Sequence, residues 1–157
     1  MRVMGLEITN LVRIKTDNQG RMDINDLRKS LDRCSIENKK IFAIVATLGT
    51  TVRGAIDPIK DISEICKQRN IWLHIDGSIG GIFAITSISI EGLNNINQAN
   101  SITITPQKII GITKTSSLLL VSNMSTLENT FNTGLPYISS KENIINRGEI
   151  GLSLIHI

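Results

Sequence analysis

The constraint that weighs most on this chain is a pair of short apolar runs, residues 41–46 (Ile-Phe-Ala-Ile-Val-Ala) and 71–75 (Ile-Trp-Leu-His-Ile), with a helix-patterned stretch between them. A run that is apolar at consecutive rather than alternating positions fits a strand covered on both faces, as in a parallel sheet. Gly49, Thr50 and Thr51 end the first strand, and Asp57-Pro58 offers an acidic N-cap with proline at the first helical position. Ile59, Ile62, Ile65 and Cys66 then recur at helical spacing, and Asn70 closes the helix. Strand, helix and strand within about 35 residues make a βαβ unit, whose crossover is expected to be right-handed.

The flanking sequence extends this pattern. Residues 10–15 alternate apolar and polar and reach a turn signal, Asp17-Asn-Gln-Gly20, so they read as a strand entering a loop. Asp23 can cap a helix in which Leu27, Leu31 and Cys34 share one face, with Arg28, Lys29 and Asp32 in water. Residues 77–99 read as loop with one short helix. Residues 101–105 alternate as a strand, Pro106-Gln107-Lys108 follows, and residues 116–121 form one more strand. Residues 124–151 show no clear period, and the chain holds no internal repeat. The expected class is α/β, a mostly parallel sheet with flanking helices.

Composition excludes several functions. At 157 residues and 41% hydrophobic content, the chain can bury one core. Its 17 basic and 14 acidic residues are scattered, a solvated surface rather than the clustered patch that nucleic acid demands. Aromatics at 3% give no platform for stacking bases. No apolar run approaches the ~20 residues of a membrane span, and the N-terminal residues lack the apolar region of a signal peptide. A cytoplasmic location is expected, with Cys34 and Cys66 as buried thiols in a reducing compartment.

Asp76 and Lys108 each follow a strand, at the edge where open α/β sheets bind ligands. A buried carboxylate needs a cation or ligand, because an unpaired buried charge is expensive; the plainer reading of Asp76 is an acid capping a turn. Lys108 stands between Pro106 and Ile109-Ile110, flanks that point to partial burial, a lowered pKa and a usable amine nucleophile. His74 shares Asp76's side of the strand, either as a core histidine or as the floor of a ligand site. No metal site is expected, since His156 is the only other histidine and neither cysteine lies at ligand spacing. Gly77, Gly80 and Gly81 do not match a phosphate-binding spacing and are expected to allow close backbone packing.

Residues 42–51 (Phe-Ala-Ile-Val-Ala-Thr-Leu-Gly-Thr-Thr), 72–76 (Trp-Leu-His-Ile-Asp) and 101–108 (Ser-Ile-Thr-Ile-Thr-Pro-Gln-Lys), with Gly111 and residues 116–121, occur in order. Together they resemble the large domain of the pyridoxal-phosphate-dependent group II amino-acid decarboxylases, the relatives of glutamate, cysteine sulfinate and aromatic amino-acid decarboxylases. The resemblance runs from about residue 3 to about residue 150. It implies a partial fold-type-I pyridoxal-phosphate-dependent transferase large domain over residues 1–151. It further implies decarboxylation of an amino-acid substrate through a Schiff base between Lys108 and pyridoxal 5'-phosphate. Asp76 would pair with the pyridine nitrogen and keep it protonated, so that the ring acts as an electron sink. His74 would lie near the ring, with Thr51 and Ser78 flanking it. Gln107 stands where a histidine usually precedes the lysine; it can donate a hydrogen bond to the cofactor or substrate but cannot carry a proton.

The family's chains are several times longer, and the full-length parent is expected to be a homodimer. The N-terminal part, with most phosphate-binding groups and the residue stacked on the ring, is expected to lie outside this chain. So are the mobile catalytic loop and the small C-terminal domain, and little activity is expected of the fragment alone. Residues 152–157 (Leu-Ser-Leu-Ile-His-Ile) read as an adaptor-derived, non-native tail, and His156 is assigned no function. The alternatives are an aminotransferase or lyase reaction on the same fold, or a non-catalytic truncated domain. The presence of both Asp76 and Lys108 weighs against the last.

Overall fold

The structure, a computed structural model, describes residues 5–88, 90, 92–113 and 115–131. The chain divides into two compact units, Met1–Leu120 and Val121–Ile157. Of the second unit, the helix Met124–Phe131 (α3 below) is described; the domain boundary expected at residue 151 and the tail beyond it lie outside the described residues.

The first helix, α1 (Ile24–Ile36), starts where Asp23 accepts hydrogen bonds from the backbone N–H groups of Asn25 at 2.8 Å and Asp26 at 3.1 Å. Those donors have no partner within the helix, which is why an acid is favoured there. Strand β1 (Ala43–Thr47), helix α2 (Ile59–Arg69) and strand β2 (Trp72–Gly77) form the expected βαβ unit. Asn70, in the left-handed region at φ 52°, ends α2 with its N–H on the carbonyls of Cys66 and Lys67. Strands β3 (Ser101–Ile104) and β4 (Leu118–Val121) complete a four-stranded sheet in the order β1-β2-β3-β4, with the β1–β2 and β2–β3 pairs parallel. Helix α3 (Met124–Phe131) follows.

The core lies on one face of this sheet. Ile44 and Ala46 of β1, Leu73 and Ile75 of β2, and Ile102 and Ile104 of β3 join Leu27 and Leu31 of α1 and Ile59, Ile62 and Ile65 of α2 in a single buried cluster. Each fully buried Leu or Ile contributes about 1.5–3 kcal/mol. Cys66 belongs to this cluster and Cys34 is also buried, both as free thiols, and burial pushes the Cys66 thiol up to about 11.

Five local expectations need correction. Residues 41–46 are not covered on both faces by the described residues, for Val45 is 56% exposed on the side opposite the helices. Residues 10–15 form no strand: a 3-10 turn spans Ile8–Asn10, and the pairing nearby is one antiparallel bridge, Thr16 with Met22. The local backbone donors are taken nearby instead, as in Lys15 N to Asp26 Oδ2 at 2.8 Å. Asp57 does not cap α2; Pro58 holds the N-cap position, and the buried Asp57 carboxylate accepts from Met22 N at 2.6 Å and Thr47 N at 2.7 Å. Strand β2 runs two residues further than expected, placing Asp76 inside the strand rather than just beyond it. Residues 77–99 contain two 3-10 segments, Gly80–Ile85 and Leu93–Gln98, rather than one helix.

Candidate functional site

Strand register assembles the site. Thr47 of β1, Asp76 of β2 and Thr103 of β3 are in register near the C-terminal ends of their strands, and Val45, His74 and Ser101 stand two residues earlier. Because side chains alternate along a strand, these residues occupy the face opposite the core.

Asp76 is half-buried. Its Oδ1 accepts the Ser78 hydroxyl at 2.5 Å and the Ser78 backbone N–H at 3.1 Å, a turn that closes directly after the strand. Burial pushes its carboxyl pKa up, but the two Ser78 donors, the nearby Lys108 ammonium and His74 outweigh that, and the group lies below its ordinary 3.8. The carboxylate is therefore held as an anion, and among the described residues no donor occupies Oδ2.

His74 is enclosed by hydroxyls: Nδ1 lies 2.8 Å from Ser101 Oγ and Nε2 lies 3.3 Å from Thr103 Oγ1. The Trp72 indole N–H donates to the same Ser101 oxygen at 2.9 Å. Burial lowers the His74 pKa below 6.5, against the pull of the Asp76 charge.

The glycines after Asp76 pack as expected. Gly80 N donates to the Leu48 carbonyl at 2.9 Å, and a Cβ at position 80 would stand 2.4 Å from that oxygen. A Cβ at Gly77 would lie 3.0 Å from the Thr103 carbonyl oxygen. The segment that follows the carboxylate is thus pressed against the ends of both neighbouring strands.

Lys108 ends the 3-10 turn Pro106–Lys108 on the same edge of the sheet. It is exposed, contrary to the burial expected from its flanks, because Ile109 and Ile110 are themselves 47% and 55% exposed and cover nothing. Gln107 turns toward its own loop, its Oε1 accepting from Ser116 N at 3.2 Å. Thr105 Oγ1 lies 3.0 Å from Ser117 Oγ, so two side chains clasp the base of the loop that carries Lys108. Thr51 is exposed in the turn after β1.

Asp76, Ser78, His74 and the Lys108 charge therefore meet at one edge, whereas Gln107 and Thr51 make no hydrogen bond to that group. Trp72, Ser101 and Thr103 went unrecognised as site residues. The signal was available in the polar alternation Ser101, Thr103, Thr105 beside a strand carrying a histidine. Chemically, an anionic carboxylate with an open oxygen and a primary amine on the same edge suit a ligand bearing both a protonated ring nitrogen and an aldehyde.

A family model described as the pyridoxal-dependent decarboxylase conserved domain matches residues 2–151. The chain is 31% identical over 158 residues to the aromatic-L-amino-acid decarboxylase of Bacillus atrophaeus, covering 98% of this chain and 33% of that protein. It is 35% identical over 124 residues to the acidic amino acid decarboxylase GADL1 of Mus musculus, covering 79% of this chain and 22% of the relative. Among solved structures, mouse CSAD superposes with a TM-score of 0.81 at 29% identity, over 85% of this chain and 28% of that one. The chain spans a third or less of the length of these curated relatives.

Proposed function

The chain belongs to the pyridoxal-dependent decarboxylase family, and from that premise we propose that it supplies the Asp76 and Lys108 part of the cofactor site in a longer amino-acid decarboxylase. Its fold is part of a fold-type-I large domain, α/β with a mostly parallel sheet. The observation that carries the reading is the Asp76 carboxylate, held ionised with one oxygen open and the Lys108 charge beside it.

Pyridoxal phosphate, when bound, supplies a protonated ring that draws electrons from the substrate Cα as carbon dioxide leaves. In this proposal Lys108 is the amine that holds the aldehyde carbon covalently, and Asp76 keeps the proton on the ring nitrogen by stabilising the cation. Ser78 orients Asp76 through the two hydrogen bonds to Oδ1, leaving Oδ2 for the ring. His74 lines the floor, and Thr51 and Gln107 stand at the rim on the loops after β1 and β3. The substrate is an amino acid. The two curated relatives named above divide between aromatic and acidic decarboxylases, so this part of the chain does not select between those classes.

The exposed Phe42, Val45, Leu119 and Leu120 support further protein packing here, and a homodimer of the full-length enzyme belongs to the proposal. A cytoplasmic location does too; among the described residues no helix is long and apolar enough to cross a membrane. The family model's match to residues 2–151 supports reading residues 1–151 as part of the large domain. The test is to treat the full-length enzyme with pyridoxal phosphate, reduce with borohydride and map the modified lysine, alongside carbon dioxide release from acidic, aromatic and basic amino acids. The adduct is expected on Lys108 and absent from Lys108→Ala. An adduct on another lysine, or one that survives Lys108→Ala, overturns the assignment.

A further inference from the structure

The hydrogen bonds around His74 determine where its proton sits. The Trp72 indole is a donor only, and its N–H enters Ser101 Oγ at 2.9 Å. That leaves the Ser101 hydroxyl one proton and one lone pair, with His74 Nδ1 at 2.8 Å. If Nδ1 carried the proton and donated, the Ser101 hydroxyl proton would have no acceptor among the described residues, although Ser101 is only 6% exposed. If Ser101 donates to a bare Nδ1, the polar groups of Trp72, Ser101 and His74 are all satisfied: indole to hydroxyl, hydroxyl to Nδ1, and Nε2–H to Thr103 Oγ1 at 3.3 Å. The tautomer of a histidine is set by what its other nitrogen must do, and here that nitrogen must accept.

We propose that Trp72 and Ser101 are positioning residues that hold His74 as the neutral Nε2–H imidazole, so that Asp76 keeps its charge for a protonated ring nitrogen. The second clause rests on the proposed function; the first does not. The charged group acting on this histidine is Asp76 on its own strand, which Lys108 beyond β3 influences in turn, while Val45 and Thr47 of β1 and Ser101 and Thr103 of β3 are neutral. A histidine beside a carboxylate would ordinarily gain a proton and pair with it. Instead burial, aided by a donor aimed at Nδ1, holds this ring neutral. Lys108 is the amine that the proposed function engages with the aldehyde, which leaves the ring nitrogen as the cation for Asp76.

In the full-length enzyme labelled with nitrogen-15 histidine, the His74 imidazole signals are those that vanish in His74→Gln. At neutral pH the expected state is protonated Nε2 with bare Nδ1. Ser101→Ala should mix the tautomers and raise the His74 pKa by roughly half a unit to one unit, the worth of one hydrogen bond to the neutral form. Ser101→Thr should restore both properties, and Trp72→Phe, which frees the hydroxyl, should shift the tautomer part of the way. Protonated Nδ1 or an imidazolium at neutral pH in the parent would overturn the proposal, as would an unchanged tautomer in Ser101→Ala. If Ser101→Ala does not fold, the parent tautomer and Trp72→Phe decide the matter.

In the enzyme loaded with pyridoxal phosphate labelled with nitrogen-15 in the ring, the midpoint at which the ring nitrogen titrates should fall in Ser101→Ala. The reason is that a protonated His74 would compete for Asp76. An unchanged midpoint overturns the link to Asp76. Loss of the borohydride adduct on Lys108 with the tautomer as stated would strike the proposed function instead, so the two failures are distinguishable.

Discussion

A single methyl group at position 80 tests how tightly the segment after Asp76 is bound to the sheet. The Cβ of Gly80→Ala would lie 2.4 Å from the Leu48 carbonyl oxygen and 3.0 Å from its carbon, where ordinary contact begins at 3.4 Å. The turn and the end of β1 must separate by about 1 Å, and the obstruction is backbone, so no rotamer change relieves it. That displacement stretches the hydrogen bond from Gly80 N to Leu48 O, now 2.9 Å, past the useful range. Losing the bond costs roughly 0.5–1.5 kcal/mol and the overpacking roughly 1–3 kcal/mol, together about 1.5–4.5 kcal/mol. At a urea slope typical of this size, the unfolding midpoint should fall by about 1–2 M. Gly54→Ala is the control: its Cβ meets nothing within 4 Å, and the change carries only the strain of φ +62°, about 1–2 kcal/mol. If Gly80→Ala unfolds within about 0.5 kcal/mol of the parent, or loses less than Gly54→Ala, the close-approach argument is wrong.

Three further outcomes are expected. Asp57→Ala should destabilise by about 2–4 kcal/mol in equilibrium unfolding, because it orphans the N–H groups of Met22 and Thr47; Asp57→Asn, which keeps one acceptor oxygen, should lose less. Gln107→Ala should change stability by less than about 1 kcal/mol yet slow borohydride trapping at Lys108, since it frees Ser116 and loosens the loop base; an unchanged rate refutes the clasp. Stability should fall with acidification in two windows. His74 and Asp76 both have lowered folded pKa values, so the unfolded chain binds more protons and their contributions are present in full only above the ordinary values. The first loss begins as pH drops below 6.5 toward the His74 value, and the second below 3.8 toward that of Asp76. Urea midpoints across pH, with His74→Gln flattening the first window, check this sign.

How much was legible depended on how local the deciding interaction is. The periodic Ile59, Ile62, Ile65 stripe and the capping Asp23 act within one helix, so reading the sequence locates them correctly. Residues 10–15 carry a strand-like alternation, but alternation does not tell a chain which partner accepts its backbone; here Asp26 and a turn do. Asp57 has the sequence position of a cap and is taken by two distant backbone donors. The site shows the same division. Asp76 and Ser78 are two residues apart and readable, whereas the Trp72–Ser101–His74–Thr103 network joins two strands and follows only from their register. For Lys108, apolar neighbours suggested burial, but burial requires something to cover them, and the described residues do not supply it.

Core and site are joined through the same strand. In β2, Leu73, Ile75 and Gly77 face the helices, and Trp72, His74 and Asp76 face away. A slip of one residue would exchange the two sets. It would expose Leu73 and Ile75, losing about 1.5–3 kcal/mol for each, and press an ionised carboxylate against Ile59, Ile62 and Ile65. Gly77 could not then occupy its place against the Thr103 carbonyl, where a Cβ would already be crowded at 3.0 Å. The hydrophobic face therefore specifies more than stability. By excluding every slip by an odd number of residues, it fixes which face of the sheet receives the negative charge, and in the observed register Asp76 lies against Thr103 of the strand that leads into Lys108. The half-buried setting of Asp76 follows from the same alternation: one side of its strand is sealed by helices, and the other stays open to a ligand.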